Sequence, residues 1–239
     1  MPREPVSAPD AQELFLNDDK AAESSLASSI AASHSVLVLA GVASIAECEN
    51  LASLAAAAAG SHRADSTGMV RKRVADLIGD TTVCNELLLR QLARLDAVAP
   101  SLTRRLFGDV LRETPSLFEN PRLAWSNDEP AINVYAAPGG TFGPHKDNQS
   151  LTMLLNLSPV QAYEGGGTAF WARQVAAAPT VLPPTFVLAP PAGSALVFGG
   201  RAVHAARPIT SGERVVLVAS CSLAGLTDDD VCPSTDEDD

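Results

Sequence analysis

The sequence predicts an α+β fold, with helices first and an antiparallel β-core after them. Three observations predict it. Before residue 110, apolar residues recur at helical spacing. From Ala131 onward, short apolar runs alternate with Gly and Pro turns: "AINVYAA", "SLTMLLNL", "GGTAFWA", "TFVLA", "SALVFGG" and "RVVLVASCSL". Several short strands divided by turn signals suggest a sandwich or a barrel. Hydrophobic residues make up 46% of the 239, which suits one sizeable domain with extensions.

Residues 1–33 are polar and rich in Ala and Ser. They are expected to form a flexible arm, with a short helix around "AQELFL". "SVLVLA" at 35–40 reads as a strand. In "SIAECENLASLAAAAAG", Ser44 and Glu47 form a capping box, and Gly60 supplies the stop, so a helix lies between. Residues 61–80 are polar and read as loop. "TTVCNELLLRQLARLDAVAP" repeats Cys84, Leu87, Leu88, Leu92 and Leu95 at helical spacing, with Pro100 beyond the end. Such a stripe is a packing face. A shorter helix is expected in "SLTRRLFGDVL". Both long helices are expected on one face of a sheet.

Charge is unevenly placed. The net charge is −11, but "TDDDVCPSTDEDD" at 227–239 holds seven acidic groups and no basic one; without it the net charge is −4. An acidic end of this kind is expected to be disordered. No basic footprint for nucleic acid is present. No apolar run spans a bilayer, and "MPREPVSAPD" lacks the order of a secretory signal. A cytoplasmic protein with neither nucleic-acid nor membrane partners is expected. Cys48, Cys84, Cys221 and Cys232 form no C-x-x-C pair and are expected as free thiols.

Four histidines are present, and one lies in "APGGTFGPHKDNQS", behind a Pro-Gly-Gly turn. In an extended strand, side chains two apart share a face. His145 and Asp147 would then point together, with Lys146 opposite. His204 follows "SALVF" and a Gly-Gly pair. Two histidines and one carboxylate are the facial set that holds non-haem Fe(II) with positions left open. Arg214, ten residues on, begins a strand on which Arg214, Val216, Val218 and Ser220 share a face. A buried arginine is costly unless an anion meets it, and guanidinium binds carboxylate through two parallel hydrogen bonds. Tyr135, just before the turn that leads to His145, is placed to reach the same anion. A metal-binding jelly-roll module without oxygen chemistry, or a metal-dependent cupin isomerase or hydrolase, explains the histidines and the carboxylate equally well. Neither explains Arg214 and Tyr135.

Taken together, "INVYAAPGGTFGPHKD", "EGGGTAFW" and "PPAGSALVFGGRAVHAARPITSGERVVLVAS" resemble the Fe(II)/2-oxoglutarate dioxygenases of the prolyl 4-hydroxylase-like branch. The resemblance covers roughly residues 131–222. "VLVLAGVASIAECENLASLA" resembles that branch's leading strand and helix less specifically. The resemblance implies a double-stranded β-helix, a jelly-roll variant, in an oxygenase domain over 34–226. It implies that His145, Asp147 and His204 hold Fe(II). Arg214 would pair with the far carboxylate of 2-oxoglutarate, helped by Tyr135 and by Thr168 in the "GGT" stretch. O2 would be the co-reactant and ascorbate a support. The implied activity is hydroxylation of a prolyl, peptidyl, amino-acid or small-molecule substrate, with release of succinate and CO2. Two departures bear on the substrate. Relatives that hydroxylate prolyl residues usually carry Lys where Arg214 stands, and often a second Tyr where Phe142 stands.

Overall fold

The computed structural model of this chain describes residues 3–59, 65–110, 116–126, 128–172 and 182–226. The first part runs β1 (Ser7–Ala8), β2 (Ala11–Phe15), α1 (Asp18–Glu23), α2 (Leu26–Ala31), β3 (Ser35–Leu39), α3 (Ile45–Ala59), β4 (Met69–Arg73), α4 (Val74–Leu77), α5 (Thr82–Val98) and α6 (Leu102–Phe107). Strands follow: β5 (Leu123–Trp125), β6 (Ala131–Ala136), β7 (Phe142–His145), β8 (Leu151–Asn156), β9 (Tyr163–Gly165) and β10 (Thr168–Trp171). The last are β11 (Phe186–Leu188), β12 (Ala195–Phe198), β13 (Val203–Ala206) and β14 (Ile209–Leu223).

Two antiparallel sheets face each other. The larger runs β1-β2-β3-β12-β8-β14-β6-β4, with β5 and β9 also paired to β14; the smaller runs β11-β10-β13-β7. They do not close into a barrel, and the architecture is the double-stranded β-helix. Period-two alternation sorts the large sheet's side chains to its two faces. Val215, Leu217, Ala219 and Cys221 of β14 join Ile132, Val134 and Leu155 beneath Leu51 of α3 and Leu88 and Leu95 of α5. Val216 and Val218 point the other way, toward Phe198 of β12 and Phe170 of the small sheet. The helices therefore cover one face, and the space between the sheets is left for a site.

The capping box forms as the sequence indicates. The Ser44 N–H donates to Glu47 Oε2 at 2.8 Å, and the Glu47 N–H donates to Ser44 Oγ at 3.3 Å. Cys48, Cys84 and Cys221 are buried free thiols; Cys232 lies outside the described residues, as does the whole acidic segment 227–239.

Two expectations fail. The loose arm is folded: "AQELF" is strand β2, not a helix, and pairs with β3 from Ala11↔Leu39 to Phe15↔Ser35. The open edge of β3 offers a ladder of hydrogen bonds that outweighs the local preference of five residues. Glu13 is drawn into the protein there, where it accepts two hydrogen bonds from Arg3 at 2.6 and 2.7 Å. Likewise, the polar stretch read as loop contains β4, an edge strand on β6, and the short helix α4. Three basic residues in "MVRKR" mask its β character, because an edge strand tolerates charge.

Candidate active site

The turn after β6 carries the chain from the large sheet into β7 of the small sheet, which ends at His145. In the small sheet His145 lies directly across from His204 on β13. Their ring centroids are 4.2 Å apart. Asp147 lies beyond the end of β7, so strand periodicity does not aim it. Instead the N–H groups of Asp147 and Asn148 both donate to the Gly200 carbonyl, at 2.9 and 3.1 Å. This close approach explains the Gly-Gly pair before His204. A Cβ at Gly200 would lie 2.1 Å from the Gln149 carbonyl oxygen, well inside contact distance.

The result brings three ligand atoms, from His145, Asp147 and His204, within 4.8 Å of one another. His145 Nε2 is 3.3 Å from Asp147 Oδ1, and His204 Nε2 is 3.6 Å from Asp147 Oδ2. Each imidazole sets Nδ1 against the carbonyl oxygen two residues earlier: Gly143 at 2.8 Å and Ala202 at 3.0 Å. With Nδ1 turned outward to a carbonyl, Nε2 is the ring atom that each histidine turns toward Asp147, the atom left for metal ligation. Burial drives the His204 pKa down. Burial pushes Asp147 up, but His204, His145 and a 2.6 Å hydrogen bond from Thr152 Oγ1 outweigh it, holding its carboxyl well below the usual carboxylate range. Two imidazoles and one carboxylate are a donor set that fits a divalent cation such as Fe(II). Phe142 packs edge-on against the His145 ring, with centroids 4.3 Å apart.

Further along the same cavity, of about 300 Å³, stand Tyr135, Thr168 and Arg214. Arg214 is 3% exposed. Its Nη2 donates to Thr168 Oγ1 at 3.0 Å, its Nη1 only distantly to the Gly167 carbonyl at 3.4 Å, and its Nε has no partner. Among the described residues no carboxylate pairs with it. A buried cation left so underused fits an anion from outside the chain. Its guanidinium carbon is 5.7 Å from the Tyr135 ring centroid. Burial raises the Tyr135 pKa, which keeps the phenol protonated and able to donate. All six residues singled out in the sequence therefore line one cavity.

Sequence reasoning missed four others. Thr152 braces Asp147, and Asn133, Arg71 and Glu129 line the cavity or its wall. A signal existed for two of them: Asn133 and Thr152 are polar residues inside the apolar runs "AINVYAA" and "SLTMLLNL", and a buried polar side chain needs a reason.

Residues 130–219 match the family model described as the 2OG-Fe(II) oxygenase superfamily. Comparison with curated proteins finds no match. Among solved structures, the chain is similar to a Pseudomonas putida prolyl-4-hydroxylase, at 15% identity and a TM-score of 0.54, covering 84% of this chain and 100% of that one. It is similar to the epimerase SnoN in complex with Fe3+, alpha ketoglutarate and nogalamycin RO, at 18% identity and a TM-score of 0.52, covering 89% and 92%. It is also similar to a prolyl hydroxylase from Trichoplax adhaerens in complex with a hypoxia inducible factor peptide fragment, at 12% identity and a TM-score of 0.51, covering 82% and 89%. At these identities the three structures speak for the fold, and the fold agrees with the family match. Residues 130–219 of this chain are thus similar to the 2OG-Fe(II) oxygenase superfamily, in sequence pattern and in fold alike.

Proposed function

We propose that the protein couples oxidation of 2-oxoglutarate by O2 to hydroxylation of an unactivated C–H bond in a peptidyl, amino-acid or small-molecule substrate. In balance, one C–H bond, one O2 and one 2-oxoglutarate give one alcohol, one succinate and one CO2. His145, Asp147 and His204 would hold Fe(II), and Arg214, Thr168 and Tyr135 would hold the far carboxylate of 2-oxoglutarate. Bound Fe(II) and 2-oxoglutarate supply the oxygen chemistry; the chain supplies orientation and shelter from water. The carboxylate of Asp147 occupies a position that halogenating relatives leave open, which favours hydroxylation over halogenation.

The observation that carries this reading is Arg214, buried, without a carboxylate partner among the described residues, in the same cavity as the triad. A bare metal-binding module has no use for such a cation. No helix among the described residues is long and apolar enough to cross a membrane. The test is a panel of prolyl peptides, free amino acids and small metabolites, read by succinate and by product mass. One oxygen atom gained per succinate formed is expected for the true substrate. Succinate formed alongside a product of unchanged mass would replace hydroxylation with an isomerising outcome.

A further inference from the structure

A chain of hydrogen bonds runs along the cavity wall toward Tyr135. The Ser220 N–H donates to Glu129 Oε2. The other oxygen, Glu129 Oε1, accepts from Arg71 Nη2. Arg71 Nη1 donates to Asn133 Oδ1 at 3.1 Å. Asn133 Nδ2 then donates to Tyr135 Oη at 3.0 Å. Glu129, Asn133 and Tyr135 are all buried.

The direction of this chain is set by donor and acceptor chemistry. A guanidinium has five donors and no acceptor. Only the carbonyl oxygen of Asn133 can face Arg71, so its amide nitrogen must face Tyr135. The Tyr135 oxygen must accept that hydrogen bond, which leaves its own proton free to donate. Among the described residues nothing takes that proton. Tyr135 lines the cavity beside Arg214.

We infer that Asn133 is a positioning residue: oriented by Arg71 and Glu129, it aims the Tyr135 hydroxyl proton at the carboxylate that Arg214 binds. The inference rests on the reading of Arg214 and Tyr135 as the 2-oxoglutarate pocket. An asparagine that only filled space would be indifferent to which of its atoms faced the tyrosine. The relay is not, because a reversed Asn133 would make Tyr135 donate to it and turn a lone pair toward the ligand.

The experiment is calorimetric titration of 2-oxoglutarate into anaerobic, Fe(II)-loaded protein. Tyr135→Phe should weaken binding about 2- to 10-fold, the worth of one hydrogen bond. Asn133→Asp has nearly the same shape but accepts at both oxygens. It should weaken binding more than Tyr135→Phe does, because it claims the tyrosine proton and adds a negative charge. Arg71 is half-buried and pairs with Glu129, so the melting midpoint of each variant is measured beside its affinity, and only folded variants are compared. Arg71→Lys keeps a donor-only partner and should bind 2-oxoglutarate within about twofold of wild type. Arg71→Gln can present an acceptor, lets Asn133 reverse, and should lose affinity as Tyr135→Phe does. Iron affinity should stay level throughout. If Arg214→Met loses affinity while Asn133→Asp and Arg71→Gln bind like wild type, the relay is wrong and the pocket stands. If Arg214→Met also binds like wild type, the pocket assignment itself is overturned.

Discussion

Arg214→Met separates an oxygenase pocket from a structural arginine, because the two readings predict opposite signs. Arg214 is 3% exposed, its Nε has no partner, and its remaining contacts are one hydroxyl and one distant carbonyl. If 2-oxoglutarate supplies the missing anion, the substitution removes one partner of a buried, charge-assisted pair. Such truncations cost about 2–5 kcal/mol. At about 1.4 kcal/mol per tenfold, 2-oxoglutarate affinity should fall roughly 30- to 3000-fold. The ligand-free protein should respond differently. Replacing an uncompensated buried charge by an apolar side chain of similar length is often neutral or stabilising, so its melting midpoint should hold or rise. Affinity is read by anaerobic titration of 2-oxoglutarate into the Fe(II) protein, following the metal-to-ligand charge-transfer band; the midpoint is read by calorimetry without ligand. Equal affinity in the two proteins would refute the pocket assignment, and a sharp fall in the ligand-free midpoint would mark Arg214 as a structural residue.

Three further outcomes follow from neighbouring features. Thr152→Val deletes the hydroxyl that braces Asp147 while keeping a residue that suits a buried strand; Fe(II) affinity, measured against a chromogenic chelator, should drop roughly 10- to 100-fold with the fold unchanged. Gly200→Ala forces a Cβ into the Gln149 carbonyl, 2.1 Å away; a stability loss of about 1–3 kcal/mol in denaturant unfolding is expected, together with weakened metal binding as the Asp147 segment shifts. Hydrogen bonds from Arg90 and from Ser44 lower the Glu47 pKa from 4.5 to about 2. The stabilisation from its charge is therefore complete above pH 4.5 and lost as the pH falls toward 2. Glu47→Gln, which keeps an acceptor for the capping box, should destabilise by no more than about 1 kcal/mol at pH 7, since the pair is substantially exposed. That difference should shrink as the pH falls through about 2; a gap as large at pH 2 as at pH 7 would contradict the charge assignment.

The β-rich half was legible because its strands are buried and its turns carry Gly and Pro, so period and punctuation agree. The face shared by Arg214, Val216 and Val218 follows from alternation alone, and the cavity confirms it. Helices α3 and α5 were legible from a capping box and a leucine stripe. The N-terminal segment was not, because β2 is a strand only by virtue of the β3 edge it pairs with. No local pattern in five residues can announce a partner twenty residues away. The same holds for β4, whose charges read as loop until β6 lies beside it. At the site, the groups with distinctive chemistry could be found by spacing and resemblance. Asp147 was found through an argument that the structure replaces: it reaches the histidines through a carbonyl of Gly200, not through strand alternation. Thr152, Asn133, Arg71 and Glu129 were missed because their roles depend on which strand lies next to which. Sheet order brings Arg71 beside Asn133, and sequence distance hides it.

The central claim is that this chain turns over 2-oxoglutarate at an iron held by His145, Asp147 and His204. The most direct test incubates the Fe(II)-loaded protein with 2-oxoglutarate and ascorbate, in air and under argon, and measures succinate. The account predicts succinate above background in air, none under argon, and none in air from Asp147→Ala at near-stoichiometric iron, although that variant should remain folded. Succinate formed equally by wild type and Asp147→Ala would contradict the triad. No oxygen-dependent succinate from the wild type, with iron bound and the substrate panel present, would contradict the oxygenase account itself.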